Sequence, residues 1–328
     1  MYKLISKLLV HTSVYLACMF TFSGVLKAQE TTQAEANANT EASTQVKDEV
    51  VATESKTEER DSKFTIKQAF SHTLESNLKS GSPGKVSISR AKTDIGYKTD
   101  VWEDGTLKVN FDYEYSDYDF SSSAFSPFNG TNIFGLKTKY IHKIDEEWGV
   151  FGSLKSTWAY ERNKESLSDS QYFTANGGAS YALNEDIKFY LGVNFTERFE
   201  DSNRFRPLIG VSWKIDEHWK LKVMNGLTVF YDLSADKITV FDFGVRYDWR
   251  QYRMRDNSLI TGRNSAVTEE VLVGFAGLTH KFNEHLSVRG FVEYNDTREF
   301  EGRSDGHEVG DFDAKPTATI GLALNLGF

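Results

Sequence analysis

Charged side chains occur at alternate residues in many segments of this chain, and the residues between them are apolar. Alternate residues of a β-strand point to opposite faces, so the charges of each segment share one face. So much charge does not fit a dry protein core, because an unpaired buried charge is strongly unfavourable. We therefore predict that these side chains face a wet interior. The candidates are Lys108, Asp112, Glu114, Lys137, Lys139, Lys155, Lys188, Arg206, Asp242, Arg246, Arg289 and Glu293.

Other residue types that do chemistry give weaker signals. His142, His218, His280 and His285 lie near proposed turns, and a histidine beside a serine at one rim would suit a hydrolase. A repeated turn motif contains two of them, which favours an ordinary polar surface role. The acidic segment 305–313 offers oxygen ligands for a divalent cation but lacks a metal-loop spacing, so we interpret it as a solvated loop. We predict no catalytic residue, no metal site and no cofactor.

The C-terminal segment predicts the elements that position these charges. Residues 318–328 alternate between apolar side chains, ending with Phe328, and small or polar ones. A period of two predicts a strand with one apolar and one wet face. Residues 107–116 and 187–196 show the same alternation. The mean hydropathy of −0.46 is typical of this pattern, because only every second strand residue is apolar.

A short motif repeats where these strands end: an apolar residue, Asp or Asn, Glu, any residue, and another apolar residue. The Asp or Asn side chain bonds its own backbone and begins a tight turn. The motif occurs at 144–148, 183–187, 215–219 and 282–286, with weaker members at 102–106 and 233–238. Longer polar segments lie between the turns, at 121–131, 163–170, 200–204, 252–266 and 301–313.

Short turns at one end and longer loops at the other are typical of outer-membrane barrels. We therefore predict an all-β fold, an antiparallel up-and-down transmembrane β-barrel with its turns in the periplasm. The chain from about residue 105 onwards predicts twelve strands, whether Asn225-Gly226 forms a hairpin turn or lies inside one long strand. Residues 64–78 and 85–100 alternate less clearly and would give fourteen. We predict twelve, with fourteen as the alternative.

Aromatic residues cluster near the proposed turns. Trp102, Trp148, Trp219 and Trp249 all lie at or beside one. Amphipathic rings settle at the headgroup level of a bilayer, so this placement predicts a membrane interface. The alternative is a soluble barrel whose strands are rich in aromatic residues.

The N-terminus predicts export. Lys3 and Lys7 precede an apolar stretch at 8–25, which indicates a cleaved signal peptide over residues 1–28. The alternative is an uncleaved anchor helix. Cleavage would remove three lysines and the only cysteine, which changes the formal charge from −9 to −12.

The next segment differs from the rest of the chain. Residues 29–62 contain no aromatic residue and no apolar period, so they cannot bury enough surface to fold. We predict a disordered periplasmic segment there. The barrel would then occupy residues 63–328, in the outer membrane of a Gram-negative bacterium.

The chain from about residue 84 to its end resembles a family of uncharacterised bacterial outer-membrane β-barrel proteins. The resemblance rests on Tyr140–Gly152, on Arg206–Gly210 leading into Trp213, and on the terminal Gly321–Phe328. It implies a barrel in outer-membrane lipid. It also implies that the barrel-insertion machinery reads Phe328 during assembly. The resemblance brings no catalytic residues.

Three hypotheses about function follow. The first is a passive pore or channel for a small solute of unknown identity, with the charged face lining the water. The second is a closed structural or ligand-binding barrel whose lumen is plugged by the same charges in pairs, because twelve strands enclose less space than the larger porins do. A barrel hydrolase is a distant third. We expect no nucleic-acid partner.

Overall fold

The structure of the protein is a computed structural model. It describes residues 63–79, 84–121, 127–162, 167–255 and 265–328. No helix in this part of the chain is long and apolar enough to cross a bilayer. The predicted signal peptide and the predicted periplasmic segment lie outside the described residues, and both stay predictions.

The described residues form sixteen strand segments. The first eight are β1 (Phe64–Asn77), β2 (Lys85–Val101), β3 (Gly105–Phe120), β4 (Gly130–Lys143), β5 (Trp148–Glu161), β6 (Gln171–Ala182), β7 (Ile187–Thr196) and β8 (Arg204–Lys214). The other eight are β9 (Trp219–Val223), β10 (Gly226–Asp232), β11 (Thr239–Arg253), β12 (Ser265–Lys281), β13 (Leu286–Asn295), β14 (Arg298–Ser304), β15 (His307–Ala314) and β16 (Thr317–Gly327).

These segments close into a barrel. From β1 to β12, each segment pairs antiparallel with the next. β13 and β14 together form one interrupted barrel strand, because both pair with β12. β15 and β16 form another, which pairs with β14 and β13. β16 also pairs with β1, from Thr65↔Gly327 to Thr73↔Thr319, so the described residues form a closed up-and-down barrel of fourteen strands.

The predicted barrel class is confirmed, with the larger of the two strand numbers. The count of twelve was wrong because β1 and β2 are full strands that pair on both edges. β2 was hard to recognise because the outward positions Ser89, Ala91 and Thr93 are small or polar. Its strand character depends on its two neighbours rather than on an apolar row of its own.

The predicted turns are confirmed, and they lie together at one end of the barrel. Asp145 Oδ1 accepts hydrogen bonds from the backbone N–H groups of Glu147 and Trp148, at 2.9 and 2.6 Å. Asn184, Asp216 and Asn283 make the same pair of bonds in their own turns. Each side chain therefore fixes the turn and lets the next strand begin at once. We call this end the turn end and the opposite end the loop end.

The β9–β10 hairpin is much shorter than its neighbours. It turns at Asn225-Gly226, and β10 pairs with β11 only as far as Gly226↔Arg246. β11 then runs on to Arg253, paired with β12 on one edge and with no ladder to β10 on the other. The outer part of β11 is thus released from the wall on one side.

Two predictions at the loop end were wrong. Residues 301–313 are not an open loop, because they form the β14–β15 hairpin around Asp305 and Gly306, both with positive φ. Trp249 does not lie at a turn. It lies in the outer part of β11 and is 8% exposed, whereas Trp102 at the turn end is 81% exposed. Its place could not be predicted because it depends on the short β9–β10 hairpin.

Candidate functional site

The apolar and charged rows of the strands lie on opposite faces of the wall. In β3, Phe111 is exposed, while Asp112 and Glu114 are buried. In β16, Ile320 and Leu322 are exposed, while Thr319 is buried. By this alternation all twelve candidate charges face the interior, and none of them belongs to an exposed apolar row. Their role in handling a solute stays a prediction.

One side of the interior is rich in lysine. Lys98, Lys108 and Lys139 lie directly opposite one another on β2, β3 and β4, in a single row across three strands. In the next inward row, Lys137 on β4 lies opposite Lys155 on β5. We call eleven of the inward cations of β2 to β9 the basic wall, which leaves out Arg90, Lys143 and Arg204. They are Lys92, Lys98, Lys108, Lys137, Lys139, Lys155, Lys188, Arg206, Lys214, Lys220 and Lys222.

Five members of the basic wall were not among the twelve predicted candidates. Lys92 and Lys98 lie on β2, whose weak outward row hid the alternation. Lys220 and Lys222 lie on β9, which has only five residues, and Lys214 ends β8. The alternation of Trp219, Leu221 and Val223 with the lysines was the available signal, but the short segment made it easy to overlook.

The opposite side of the interior holds its charges in pairs. Arg289 donates two hydrogen bonds to Asp242, at 3.0 and 2.5 Å. Arg246 bonds Asp248 and Glu293, both at 2.9 Å. We call these five residues of β11 and β13 the paired wall. Its charges nearly cancel, so it does not offset the charge of the basic wall.

Acidic groups within the basic wall are few, and most of them are buried. Asp112 accepts from the Lys155 Nζ at 2.6 Å, and the side chains of both are 6% exposed. Glu114 pairs with Arg250 at 2.9 Å, nearer the loop end. The other inward acids of these strands are Asp94, Asp100 and Glu161. Asp94 Oδ1 accepts from the Asn110 amide at 3.2 Å, and Asp100 Oδ1 accepts from the Thr106 hydroxyl at 3.2 Å.

Aromatic rings lie under several inward cations. Lys222 lies over the ring of Phe230 at 5.6 Å, and Arg246 lies over Phe275 at 5.3 Å. Arg289 lies over Phe291 at 5.0 Å. These cation–π contacts steady the side chains inside the barrel.

A buried cluster of charged groups joins five strands toward the loop end. Glu269 on β12 accepts hydrogen bonds from Arg90 on β2 and Tyr118 on β3, both at 2.6 Å, and from Tyr252 on β11 at 3.2 Å. It also accepts a short hydrogen bond from Arg298 on β14. We call these five residues the Glu269 cluster. It ties opposite sides of the barrel to one carboxylate.

Apolar side chains surround the Glu269 cluster. Phe300 stacks on Phe312 at 4.6 Å, and Tyr118 meets Phe128 edge-on at 4.7 Å. We call this packed group the outer core. It contains Leu78, Val86, Ile88, Tyr118, Phe128, Ile133, Ala159, Tyr172, Phe199, Trp249, Tyr252, Met254, Ala266, Val267, Phe300, Phe312 and Ala314.

The outer part of β11 crosses toward the far wall. Arg253 forms a parallel bridge with Tyr160 of β5, although five strands separate β5 from β11 around the barrel. Just beyond it, the Arg255 backbone N–H and guanidinium both donate to Glu161, at 3.0 and 3.1 Å.

The same segment also contacts the loop between β7 and β8. Gln251 accepts a hydrogen bond from the Phe199 backbone N–H at 2.9 Å and donates one to the Glu197 carbonyl at 3.0 Å. Arg253 donates to Glu200 at 2.6 Å. In the described part of the chain, these contacts and the outer core close the loop end of the barrel.

The four histidines at the turn end are separate from one another along the rim. His218 and His285 each contact a backbone carbonyl, of Asp232 at 3.1 Å and of Gly327 at 2.7 Å. His280 contacts the Thr239 hydroxyl at 2.9 Å, and His142 contacts the Tyr140 hydroxyl at 3.4 Å. No group of three His, Cys, Asp or Glu suited to a metal ion occurs among the described residues.

Comparisons with known proteins give fold-level similarity. No family model matches the chain. An attachment invasion locus protein of Yersinia enterocolitica is 33% identical over 61 residues, which are 17% of this chain and 34% of that protein. The chain therefore matches only about a third of that relative's length. The resemblance to an uncharacterised barrel family stays a prediction.

Several solved outer-membrane proteins are similar in structure. An outer-membrane channel of Pseudomonas putida F1 matches with a TM-score of 0.46 and 10% identity, over 81% of this chain and 96% of its own. The P. putida toluene transporter TodX matches with 0.47 and 7%, over 82% and 90%. The NanC porin matches with 0.35 and 10%, over 80% and 100%. Similarity at this level does not assign the chain to a family.

Proposed function

We propose that the protein is an outer-membrane barrel of a Gram-negative bacterium that lets small solutes pass passively. The charged interior carries this proposal. A purely structural barrel could fill its turn-end half with apolar side chains, in the way that the outer core fills the loop end of this barrel. This barrel instead places lysines there in rows, beside a small apolar cluster of Phe151, Tyr190 and Leu208. Charged side chains inside a barrel need water, a charged solute or an opposite charge.

The outer surface supports a membrane location. Exposed apolar side chains form a band around the barrel, within about ten residues of the turn end, which is the length of a transmembrane strand. Only helices and closed barrels satisfy every backbone group inside a bilayer. The band includes Phe70, Tyr97, Phe111, Leu136, Leu154, Leu191, Val193, Ile209, Phe243, Leu278, Val292 and Leu322.

Aromatic pairs at both limits of this band support the same location. Trp148 contacts Tyr181 at 4.8 Å and Trp219 contacts Tyr231 at 4.5 Å, both near the turn end. Phe195 contacts Phe205 at 4.9 Å near the loop end. Rings of this kind settle at the two interfaces of a bilayer. The short turns then lie in the periplasm and the loops outside the cell.

Conduction through this barrel requires movement at the loop end. The outer core and the bridge from β11 to β5 close the interior in the described residues. The outer part of β11 is the natural moving part, because β10 leaves one of its edges free of ladder hydrogen bonds. We therefore propose a channel that is closed at rest and opens when this segment moves outward.

Recording from the refolded protein in a planar bilayer tests the proposal. We expect brief, infrequent conductance steps, which denatured protein and empty detergent do not produce. A complete absence of steps over a range of voltages and salt concentrations would contradict passive conduction.

The second candidate is a closed structural or ligand-binding barrel. The Glu269 cluster favours it, since a carboxylate held by two arginines and two tyrosines is a stable closure rather than a loose gate. The same recording separates the two candidates, because a closed barrel conducts nothing even when solute binds from the periplasmic side.

Assembly and export form part of the proposal. Phe328 is 60% exposed at the end of β16, where its ring faces Phe64 at 6.5 Å and His285 at 6.0 Å. An exposed terminal ring suits recognition by the insertion machinery. Mass spectrometry of the protein purified from outer membranes tests export, and we expect its first residue to be Gln29.

A further inference from the structure

We propose that the basic wall makes the lumen selective for small anionic solutes that carry carboxylate, phosphate or sulfate groups. This inference rests on the proposed function for passage through the membrane. It also makes a claim of its own, because an anion can bind in the lumen even if nothing passes through.

The arrangement of the lysines is the first argument. Lys98, Lys108 and Lys139 are neighbours in one row, so their backbones lie about 5 Å apart from strand to strand. Lys137 and Lys155 repeat this arrangement one row nearer the loop end. Like charges directly opposite each other on one face of a sheet are destabilising. An anion that enters between the rows relieves that repulsion.

The charge balance is the second argument. The acids on the inward face of β2 to β9 are few, and two of them, Asp112 and Glu114, already pair with Lys155 and Arg250. Across the lumen, Arg289 and Asp242 already pair with each other. Among the described residues, cations therefore outnumber acids on the inward face of β2 to β9, which gives this side of the lumen an excess of positive formal charge.

The contrast with the whole chain is the third argument. The formal net charge is −9, so cations are a minority of the charged residues. The sequence nevertheless places at least one inward cation on every strand from β2 to β9 except β6, while the turns carry acids such as Asp145, Glu146 and Glu147. Positive charge is thus concentrated inside a low-dielectric wall, which strengthens its field along the lumen.

The side chains that line the lumen also limit the size and the charge of the ligand. A small anion with two or three acidic groups spaced a few ångströms apart matches cations on neighbouring strands. Phe230, Phe275 and Phe291 give the lumen flat apolar surfaces, although each already lies under a cation. A long polymer or a lipid does not fit an interior that ends at the outer core. The expected solute is therefore small and multivalent.

Binding of citrate to the full-length protein in non-ionic detergent is the first test, measured by titration calorimetry with spermidine as the cationic comparator. We expect citrate to bind and spermidine not to bind, with affinity that falls as salt rises. The variant K108Q/K137Q should weaken citrate binding by about tenfold or more. K315Q removes an exposed lysine outside the lumen, and it should change binding by less than about twofold.

Reversal potential across a bilayer with a salt gradient is the second test. We expect chloride to be preferred over potassium, and the preference to shrink in K108Q/K137Q. The variant K137E should shrink the preference further than a single K137Q does. The heat-dependent shift of folded barrels on gels verifies that each variant has folded.

The outcomes separate the two claims. Citrate binding without any conductance overturns the channel and keeps the anion site. Conductance without citrate binding or anion preference overturns the anion site and keeps the channel. Spermidine binding equal to that of citrate, or loss of binding in K315Q as large as in K108Q/K137Q, also overturns the anion site.

Discussion

The two ends of this lumen are built from the same strands but filled with different side chains. In the turn-end half, the inward positions of β4 include Lys137 and Lys139. Toward the loop end, the inward position Ile133 is 2% exposed and belongs to the outer core. Four residues along one strand thus separate a charged lining from a packed hydrophobic seal.

The difference teaches that strand alternation fixes which face a residue occupies but not what that face contacts. Near the turn end, the inward face meets other charged side chains, as Lys155 meets Asp112. Near the loop end, the short β9–β10 hairpin lets outer β11 cross the interior, so inward faces meet protein. A local difference in hairpin length therefore changes the lining of the barrel from charged to apolar.

Removing the carboxylate of Glu269, at the centre of the outer core, should have the largest effect on stability. In Glu269→Ala, Arg90 and Arg298 lose the carboxylate that both of them bind inside the protein. Leaving buried charges uncompensated should lower the free energy of unfolding by about 3–5 kcal/mol. Urea unfolding in lipid vesicles measures it.

The matched control removes a carboxylate at the surface of the same end. Glu75 pairs with Lys85, and both side chains are about half exposed. Glu75→Ala should cost no more than about 1 kcal/mol. Equal losses in the two variants would mean that the Glu269 cluster does not hold the loop end together.

Releasing outer β11 should open the lumen without unfolding the barrel. The double variant Glu161→Ala with Gln251→Ala removes the Glu161 contacts to Arg255 and the Gln251 contacts to the β7–β8 loop. Lost hydrogen bonds of this kind total about 2 kcal/mol, which corresponds to about a 30-fold rise in the open fraction. Single-channel recording measures the open probability.

The control for this variant changes a loop-end charge that does not touch β11. Glu301 pairs with Arg303 within the β14–β15 hairpin. Glu301→Gln should leave the open probability unchanged. If the double variant also leaves it unchanged, outer β11 is not the gate.

A smaller effect on stability should follow from adding a methyl group to β16, next to the paired wall. A Cβ at Gly321 would lie 2.1 Å from the ring of Phe291, so the ring under Arg289 would have to shift. Gly321→Ala should lower the free energy of unfolding by about 1–3 kcal/mol. Gly290 has open space around its Cβ position, so Gly290→Ala should leave stability within about 0.5 kcal/mol. Equal effects would show that the lumen tolerates movement of Phe291.

The smallest change in stability should come from the terminal ring. Phe328→Ala removes an exposed side chain and should cost the assembled barrel less than about 1 kcal/mol. The amount of assembled barrel in cells should nevertheless fall, because the insertion machinery loses its signal. Phe70→Ala removes an equally exposed ring in β1 and should assemble normally. Normal assembly of Phe328→Ala would contradict the proposed role of Phe328 as a signal for the insertion machinery.

The sequence was sufficient to predict the features that depend on residues close together in the chain. The alternation in residues 318–328 predicts β16 and its two faces, and Asp145 and its equivalents predict the turns, because each Asp or Asn side chain bonds the backbone two and three residues later. The inward placement of residues such as Lys108 and Asp242 follows from the same period of two.

Features that depend on distant contacts could not be predicted. β2 lacks an apolar row and is stabilised by pairing with β1 and β3. The seal depends on Arg253 meeting Tyr160, residues far apart in the chain, and on Trp249 packing beside Tyr172. No local pattern in β11 distinguishes its outer part from an ordinary lipid-facing strand.

Cysteine accessibility along β4 tests the central claim most directly. Lys137 and Ile133 are both inward positions of this strand, and Cys18 is the only natural cysteine, so it is replaced by serine. In proteoliposomes treated with a small anionic thiosulfonate reagent, Lys137→Cys should react more than about tenfold faster than Ile133→Cys. Equal rates at the two positions would contradict a lumen that is wet and basic toward the turns and sealed toward the loops.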